Sequence, residues 1–428
     1  MTAEKLALAG GAPVRQKPFT AWPVFDKTDE EALLRTLRSG KWWQFAYGYG
    51  VELTEEKTGD NRAEASRFQE AFAAAHDCRE GIAAMNGTVT LEIILRAAGI
   101  GPGDEVIVPA YTFIATASAV LQVGAVPVFA DIRRDTCNID PAKVEAEITP
   151  RTRAIIPVHF AGQSADMDSL SAIAKKRNLV VIEDAAHAHG AEWQGRKCGS
   201  LGLAASFSFQ NSKNMTAGEG GIITTFDSAL AELCRSYLWA GRVAGRPWYE
   251  HHRLGGNYRI TEFQAALLRV GLGRLQEQTE RRDRNGRYLS KLLSSNIKGV
   301  EPLFVDDRCT LMAYHIFMFR YNPAEFGGRS RADFLKALAA EGVPCLGGYS
   351  HPLYRNPMFA NKNFWKGSFP CQEPYGRELD YSTFAEKCPE CEAACNETVW
   401  LPQNLFLGEK SDMDDIALAI AKIQRNKP

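Results

Sequence analysis

The sequence predicts an α/β protein: a large domain on a mostly parallel, mixed sheet flanked by helices, followed by a smaller α+β C-terminal domain. Three observations carry this reading. Between residues 81 and 225, short apolar runs of strand type alternate with stretches of helical period, as in a sheet covered on both faces. Turn chemistry separates the runs, as at Asn86-Gly87-Thr88 and Gly101-Pro102-Gly103-Asp104. In the final third the alternation gives way to a shorter, mixed set of elements. A chain of 428 residues suits one large and one smaller domain. We place the large domain at 1–275 and the small one at 276–428, with residues 1–40 able to pack on the small domain.

The chain opens with Gly10-Gly11-Ala12-Pro13 and Trp22-Pro23, then an amphipathic helix over 26–37 that Ser39-Gly40 ends. Trp42, Trp43, Phe45, Tyr47 and Tyr49 interleave with Gly48 and Gly50, a loop suited to lining a pocket or to packing on a neighbouring subunit. A helix over 61–76 puts Phe68 and Phe72 on one face. Strands are expected at 81–85, 106–108, 126–132, 154–158 and 180–182, the last ending in Glu183-Asp184. Helices are expected between them, at 88–98, 112–123, 141–148 and 166–176. A strand at 222–225 and a helix at 228–238 follow, and 242–257 is irregular. A helix over 261–293, broken near Gly271 and Gly273, leads out of the large domain. The remainder holds a strand at 314–321, a helix at 331–341 capped by Ser330, and a terminal amphipathic helix over 411–424 capped by Ser411.

Composition narrows the function classes. Hydrophobic content of 45% and charged content of 24% describe an ordinary globular protein. A formal net charge of −1 gives no electrostatic case for nucleic acid or an anionic membrane. No apolar run approaches bilayer-spanning length, and residues 1–11 hold no export-type apolar segment, so the expected location is the cytoplasm. The 10 cysteines are then not a disulfide framework. Cys388, Cys391 and Cys395 cluster, with Cys371 as the nearby candidate fourth ligand, but the spacing is helical as readily as chelating, and no metal is expected.

Chemistry gathers at the expected carboxyl ends of the strands, where open α/β sheets bind ligands. Gly87 and Thr88 open a helix, whose free N–H groups favour an anion. Asp184 closes a strand; it could bind a metal, act as a base or hold a heteroaromatic N–H. His187 and His189 alternate, so one can line a site while the other, His189, is a satisfied core histidine. Lys213 stands between the apolar run 205–209 and the Gly-rich 218–221. Desolvated, its amine would lose its proton and could form a Schiff base; alone, the stretch reads equally as a β-hairpin with a solvated lysine at its turn. Ser208 lies close before it. An anion site, a strand-end carboxylate, an aromatic at Phe113 and a lysine together suit pyridoxal 5'-phosphate (PLP).

Together these segments resemble the keto-sugar aminotransferases of the DegT/StrS family, PLP enzymes of fold type I. The match rests on Asn86-Gly87-Thr88, residues 101–109, Tyr111-Thr112-Phe113, residues 183–187 and 206–209, Lys213, residues 218–221 and Gly256-Asn257-Tyr258-Arg259. The resemblance implies Lys213 as Schiff-base lysine and proton shuttle, with Asp184 on the pyridine nitrogen, Phe113 stacked on the ring and His187 near the ring hydroxyl. Gly87, Thr88 and Ser208 would bind the phosphate. Asn257 would reach the phosphate of the neighbouring subunit, making the enzyme a homodimer with shared sites. A lysine at 213, where dehydratase-type members carry histidine, favours transamination.

Gly10-Gly11-Ala12-Pro13-Val14-Arg15, Trp22-Pro23, residues 39–42 and Gln210-Asn211 resemble the branch acting on keto-cyclitols of the scyllo-inosose kind or making 3-amino-5-hydroxybenzoate. The implied reaction moves an amino group from L-glutamine or L-glutamate to a keto-sugar or keto-cyclitol, in amino-sugar, aminocyclitol or antibiotic biosynthesis. An aromatising synthase, a PLP lyase or dehydratase, and a non-catalytic PLP- or sugar-binding regulator are the alternatives. Arg242, Arg246, Trp248, Tyr249, Tyr314, His315 and Tyr349 are further pocket candidates that also suit surface or core roles. The stretch 47–61 is longer than the family suggests and reads as a substrate-side loop.

Overall fold

The computed structural model describes residues 5–44, 62–365 and 367–428. Most of the aromatic loop (Phe45, Tyr47, Gly48, Tyr49, Gly50) and the whole 47–61 stretch lie outside the described residues. Helix α1 (Lys27–Ser39) starts at a capping box of Asp26 and Asp29 and stops at Gly40, whose φ of 67° suits glycine. Helix α2 (Glu64–Ala75) buries Phe68 and Phe72. The alternation then runs as β1 (Glu80–Ala84), α3 (Gly87–Ala97), β2 (Glu105–Pro109), α4 (Ala115–Gln122), β3 (Val126–Ala130), α5 (Pro141–Glu147), β4 (Thr152–Ile155), α6 (Met167–Arg177) and β5 (Val180–Asp184). A two-stranded ribbon, β6 (Glu192–Trp193) with β7 (Arg196–Lys197), precedes β8 (Ala204–Ser208), β9 (Gly221–Thr225) and α7 (Ser228–Leu238).

The main sheet has the order β1-β9-β8-β5-β4-β2-β3. Strands β3, β2, β4, β5 and β8 are parallel; β9 is antiparallel to both β8 and β1. Two antiparallel steps leave β1 pointing the same way as β8. The carboxyl ends of β1, β8, β5, β4 and β2 therefore open on one edge. That edge holds Asn86 to Thr88, Ser208, Asp184 and residues 110–114. The expected helix over 112–123 begins only at Ala115. Residues 112–114 remain a turn on this edge and leave Phe113 57% exposed.

Helix α8 (Glu262–Asn296) is one unbroken 35-residue helix, about 52 Å long. The expected break at Gly271 and Gly273 does not occur. Each glycine costs only about 1 kcal/mol in a helix interior, and a Thr261–Gln264 capping box and packing along the whole length offset it. Its first half meets α1 and α2 through Arg274–Asp29 and Arg269–Glu64 ion pairs; its second half meets the C-terminal elements through Tyr288–Asp414 and Asn285–Phe406 hydrogen bonds.

The C-terminal part holds β10 (Val300–Pro302), β11 (Ile316–Tyr321), α9 (Arg331–Ala340), α10 (Pro357–Ala360), α11 (Phe384–Lys387), α12 (Pro389–Glu397), β12 (Thr398–Pro402) and α13 (Lys410–Arg425). Strands β10, β11 and β12 form a second, antiparallel sheet. The N-cap of α13 is Glu409 and not Ser411: the chain turns helical one residue earlier, where Asp412 Oδ2 accepts from Glu409 N at 2.8 Å. Residues 12–15 lie on this part, with Arg15 2.8 Å from Asp412 and from Asp415 and Ala12 O accepting from Lys422 at 2.7 Å. Cys388, Cys391 and Cys395 are buried in the core at α12, while Cys371 turns to the Tyr381 hydroxyl. Among the described residues no three potential ligands stand close enough to hold a metal ion.

Candidate active site

The start of α3 is wedged against β8 and β9. Asn86 caps it, accepting from Val89 N at 2.9 Å. A Cβ on Gly87 would stand 2.8 Å from the Ser208 Cβ, and one on Gly221 would stand 2.5 Å from the Asn86 carbonyl carbon. Only glycine fits either place. The fold thus presses Gly87, Thr88 and Ser208 together, with helix-start N–H groups on the open edge. Behind them Thr90 Oγ1 and Ser206 Oγ lie 2.6 Å apart, and Ser206 donates to Gly87 O at 3.0 Å. Sequence reasoning missed this bracing pair, although Ser206 lies within the 206–209 motif and Thr90 two residues past Asn86-Gly87-Thr88.

The neighbouring carboxylates at the end of β5 have opposite environments. Burial alone would raise the Glu183 carboxyl, yet His159 and the amides of Gly199 and Gly202 bring it below its ordinary value. His159 Nε2 donates at 2.8 Å, its Nδ1 accepts from Ala165 N, and Gly199, Leu201 and Gly202 amides donate to Glu183 at 2.7 Å. Glu183 is therefore a structural anchor for the 199–202 loop. Asp184 has fewer donors: Thr116 Oγ1 at 2.8 Å to Oδ2 and Ala186 N at 3.2 Å to Oδ1. Burial wins and raises its carboxyl. Thr116 was not singled out from the sequence. Its hydroxyl also meets Thr112 Oγ1 at 3.0 Å, so the first turn of α4 holds Asp184 and displays Phe113 together.

Strands β8 and β9 are antiparallel neighbours, so 209–220 is indeed the connection of a hairpin-like pair. Its lysine is half-buried and not fully solvated. Burial lowers the Lys213 amine to about 8, against a weaker opposing pull from Asp184. The amine has no hydrogen bond or ion pair among the described residues, leaving an amine ready to react. His187 is buried nearby, its ring 4.3 Å from that of His315 and 5.5 Å from Phe160. Burial first, then Lys213 and His189, push His187 well below its ordinary value, and its Nδ1 has no partner. His189 goes the other way, 5.4 Å from Phe207 and 5.6 Å from Phe209. It is a core histidine but not a satisfied one, since its ring forms no well-made hydrogen bond.

Asn257 is not brought onto these residues. It is exposed on the segment after 242–256, where Tyr258 O accepts from Met85 N at 2.8 Å, and its side chain makes no hydrogen bond among the described residues. Of the further candidates, His315 and Tyr349 reach the site. Tyr349 packs on Tyr111 and Trp400, and burial first, then Asp184, raise its hydroxyl. Tyr314 is core, stacked on Phe317 and closing on Gly286 of α8. Arg242 lies over Trp239 and Trp248 and donates to Trp248 O.

Comparison with known proteins places this arrangement. The chain is 38% identical over 431 residues to the L-glutamine:2-deoxy-scyllo-inosose aminotransferase of Streptomyces paromomycinus, covering 98% of each chain. It is 37% identical over 405 residues to the 3-amino-5-hydroxybenzoate synthase of Amycolatopsis mediterranei, covering 94% of this chain and 96% of that one. A crystal structure of 3-amino-5-hydroxybenzoic acid synthase superposes with a TM-score of 0.83 at 36% identity, covering 96% of this chain and 99% of that one. Residues 51–420 match the sequence pattern of one family, and the chain belongs to it: the DegT/DnrJ/EryC1/StrS aminotransferase family.

Proposed function

We propose that the protein is a PLP-dependent aminotransferase that moves the amino group of L-glutamine or L-glutamate to a keto-cyclitol of the scyllo-inosose kind or a related keto-sugar. The observation that carries it is the unpaired, desolvated Lys213 amine, lowered to about 8 within the field of Asp184. The edge fits the cofactor on its own evidence. Gly87 and Ser208 form a cradle that any larger residue 87 would fill. The orphaned Nδ1 of His187 lacks a partner that a ring hydroxyl would supply.

In this reading Gly87, Thr88 and Ser208 hold the phosphate and Phe113 covers one ring face. Asp184, oriented by Thr116, keeps a proton on the pyridine nitrogen. When bound, PLP supplies an electron sink for a carbanion next to nitrogen. Lys213 would hold the cofactor until the amino donor takes its place, and its freed amine would then accept the proton from the donor Cα. Such acid–base work contributes typically ~10²–10⁴-fold in rate. In the second half the same amine delivers a proton to the carbon that was the ketone. Two half-reactions on one lysine make the kinetics ping-pong. We further propose a cytoplasmic homodimer in which the exposed Asn257 completes the neighbour's phosphate site, and a boundary near residue 275 where α8 leaves the main sheet.

Similarity to 3-amino-5-hydroxybenzoate synthase favours one other outcome on the same residues, an aromatising loss of water. Incubating PLP-loaded protein with α-¹⁵N-labelled L-glutamine and a keto-cyclitol distinguishes the two. Label in an aminocyclitol supports transamination. An aromatic product from an amino-dehydrocyclohexane acid, with no label transfer to cyclitols, overturns it.

A further inference from the structure

Asn214 follows Lys213 in the chain, is 1% exposed, and contacts His315, whose ring lies beside that of His187. Its Nδ2 donates to Ala313 O at 2.7 Å. That bond assigns the amide orientation and leaves Oδ1 facing His315 Nδ1 at 3.1 Å. An amide oxygen accepts only, so Nδ1 of His315 must carry a proton. A neutral ring then has its lone pair on Nε2. Burial favours the neutral ring, and the groups that face it, His187, Lys213, His189 and Arg282, all push the same way. His315 is 7% exposed, and Nε2 has no hydrogen bond among the described residues and is not sealed from solvent. The 4.3 Å contact with His187, the rings tilted 35° to each other, puts this ring on the wall of the candidate site.

We propose that Asn214 locks His315 in its Nδ1–H form, so that Nε2 is a fixed hydrogen-bond acceptor for a hydroxyl of the incoming polyhydroxylated ring ketone. The second half of this inference rests on the proposed function; the tautomer itself does not. A ring ketone bearing several hydroxyls loses hydration on entry, and each hydroxyl without an acceptor costs binding. An Nε2–H ring, or a cationic one, would present a donor at the same point. His315 would thus select for a hydroxyl, and Asn214 is the positioning residue that sets the selection.

The test has two arms. The first uses ¹⁵N-histidine-labelled protein without cofactor, with the His315 signals assigned by their loss in His315→Gln. We expect protonated Nδ1 and bare Nε2 in the wild type, and loss of that preference in Asn214→Ala. An Nε2–H or doubly protonated His315 at neutral pH overturns the inference and leaves the proposed function untouched. The second arm uses PLP-loaded enzyme. His315→Phe should raise KM for the hydroxylated ketone roughly ten-fold and affect the glutamine half-reaction much less. His315→Gln, whose amide oxygen accepts, should restore most of it. Equal impairment in both variants, or loss of both half-reactions together, shows a structural role and overturns the assignment.

Discussion

Lys213 offers a quantitative test of the site. Its amine is lowered from 10.5 to about 8, which corresponds to roughly 3 kcal/mol against the ammonium form. At pH 7.5 about a quarter of such an amine is free, against about one part in a thousand for an ordinary lysine. PLP condenses only with free amine. Its capture, quenched with borohydride at a series of pH values, should therefore rise through an inflection near 8 and level off above it. Asp184 is the group that opposes the lowering, so Asp184→Asn should move the inflection to lower pH while weakening retention of the cofactor. An inflection near 10 in the wild type would show that the amine is hydrated and that the desolvation argument is wrong. An upward shift in Asp184→Asn would refute the assigned pull of Asp184 on the amine.

Other consequences can be measured independently. Because Lys213 is lowered in the folded chain, the unfolded chain binds more protons between about 8 and 10.5, and the lysine's contribution to stability rises with pH across that window. Lys213→Met should therefore melt higher than the wild-type apoenzyme at pH 7, with the difference fading above pH 10; an unchanged or lower melting temperature at pH 7 would count against burial. Gly87→Ala puts a methyl 2.8 Å from the Ser208 Cβ and should weaken PLP binding at least ten-fold by fluorescence titration with the circular dichroism unchanged. Glu183→Gln cannot accept from His159 and all three amides as a carboxylate does, and should cost about 3–5 kcal/mol in urea unfolding. Thr116→Val removes one donor from Asp184, worth roughly 1.5–3 kcal/mol to the charged form, and should lower turnover with little change in melting.

The strands and the ends that matter were legible because both are local properties. Apolar runs bounded by glycine or proline marked β1, β2 and β3, an apolar run after Asn178 marked β5, and a carboxylate at its end marked Asp184. Lys213 stood out as a charge between an apolar run and a Gly-rich segment. What the sequence hid was set by tertiary packing. Thr116 acquires a role only when the first turn of α4 folds against the end of β5. Glu183 and Asp184 look equivalent in sequence, and only the amides of 199–202 make one an anchor and leave the other underprovided. The glycines of α8 read as breakers because the pairs that hold this helix to α1 and α2, Arg274–Asp29 and Arg269–Glu64, join residues distant in sequence. Tyr314 and His315 are adjacent, yet the φ of 45° at Tyr314 sends one ring into the core and the other to the site.

The central claim is that one lysine, held desolvated at the carboxyl edge of the sheet, is the reactive amine. The most direct measurement is peptide mass mapping after PLP loading and borohydride reduction, with and without prior L-glutamine. The account predicts the cofactor mass on the peptide containing Lys213 alone, and its loss when glutamine has first converted the cofactor to its amine form. Labelling spread over surface lysines, or a Lys213 adduct that glutamine leaves unchanged, would contradict it.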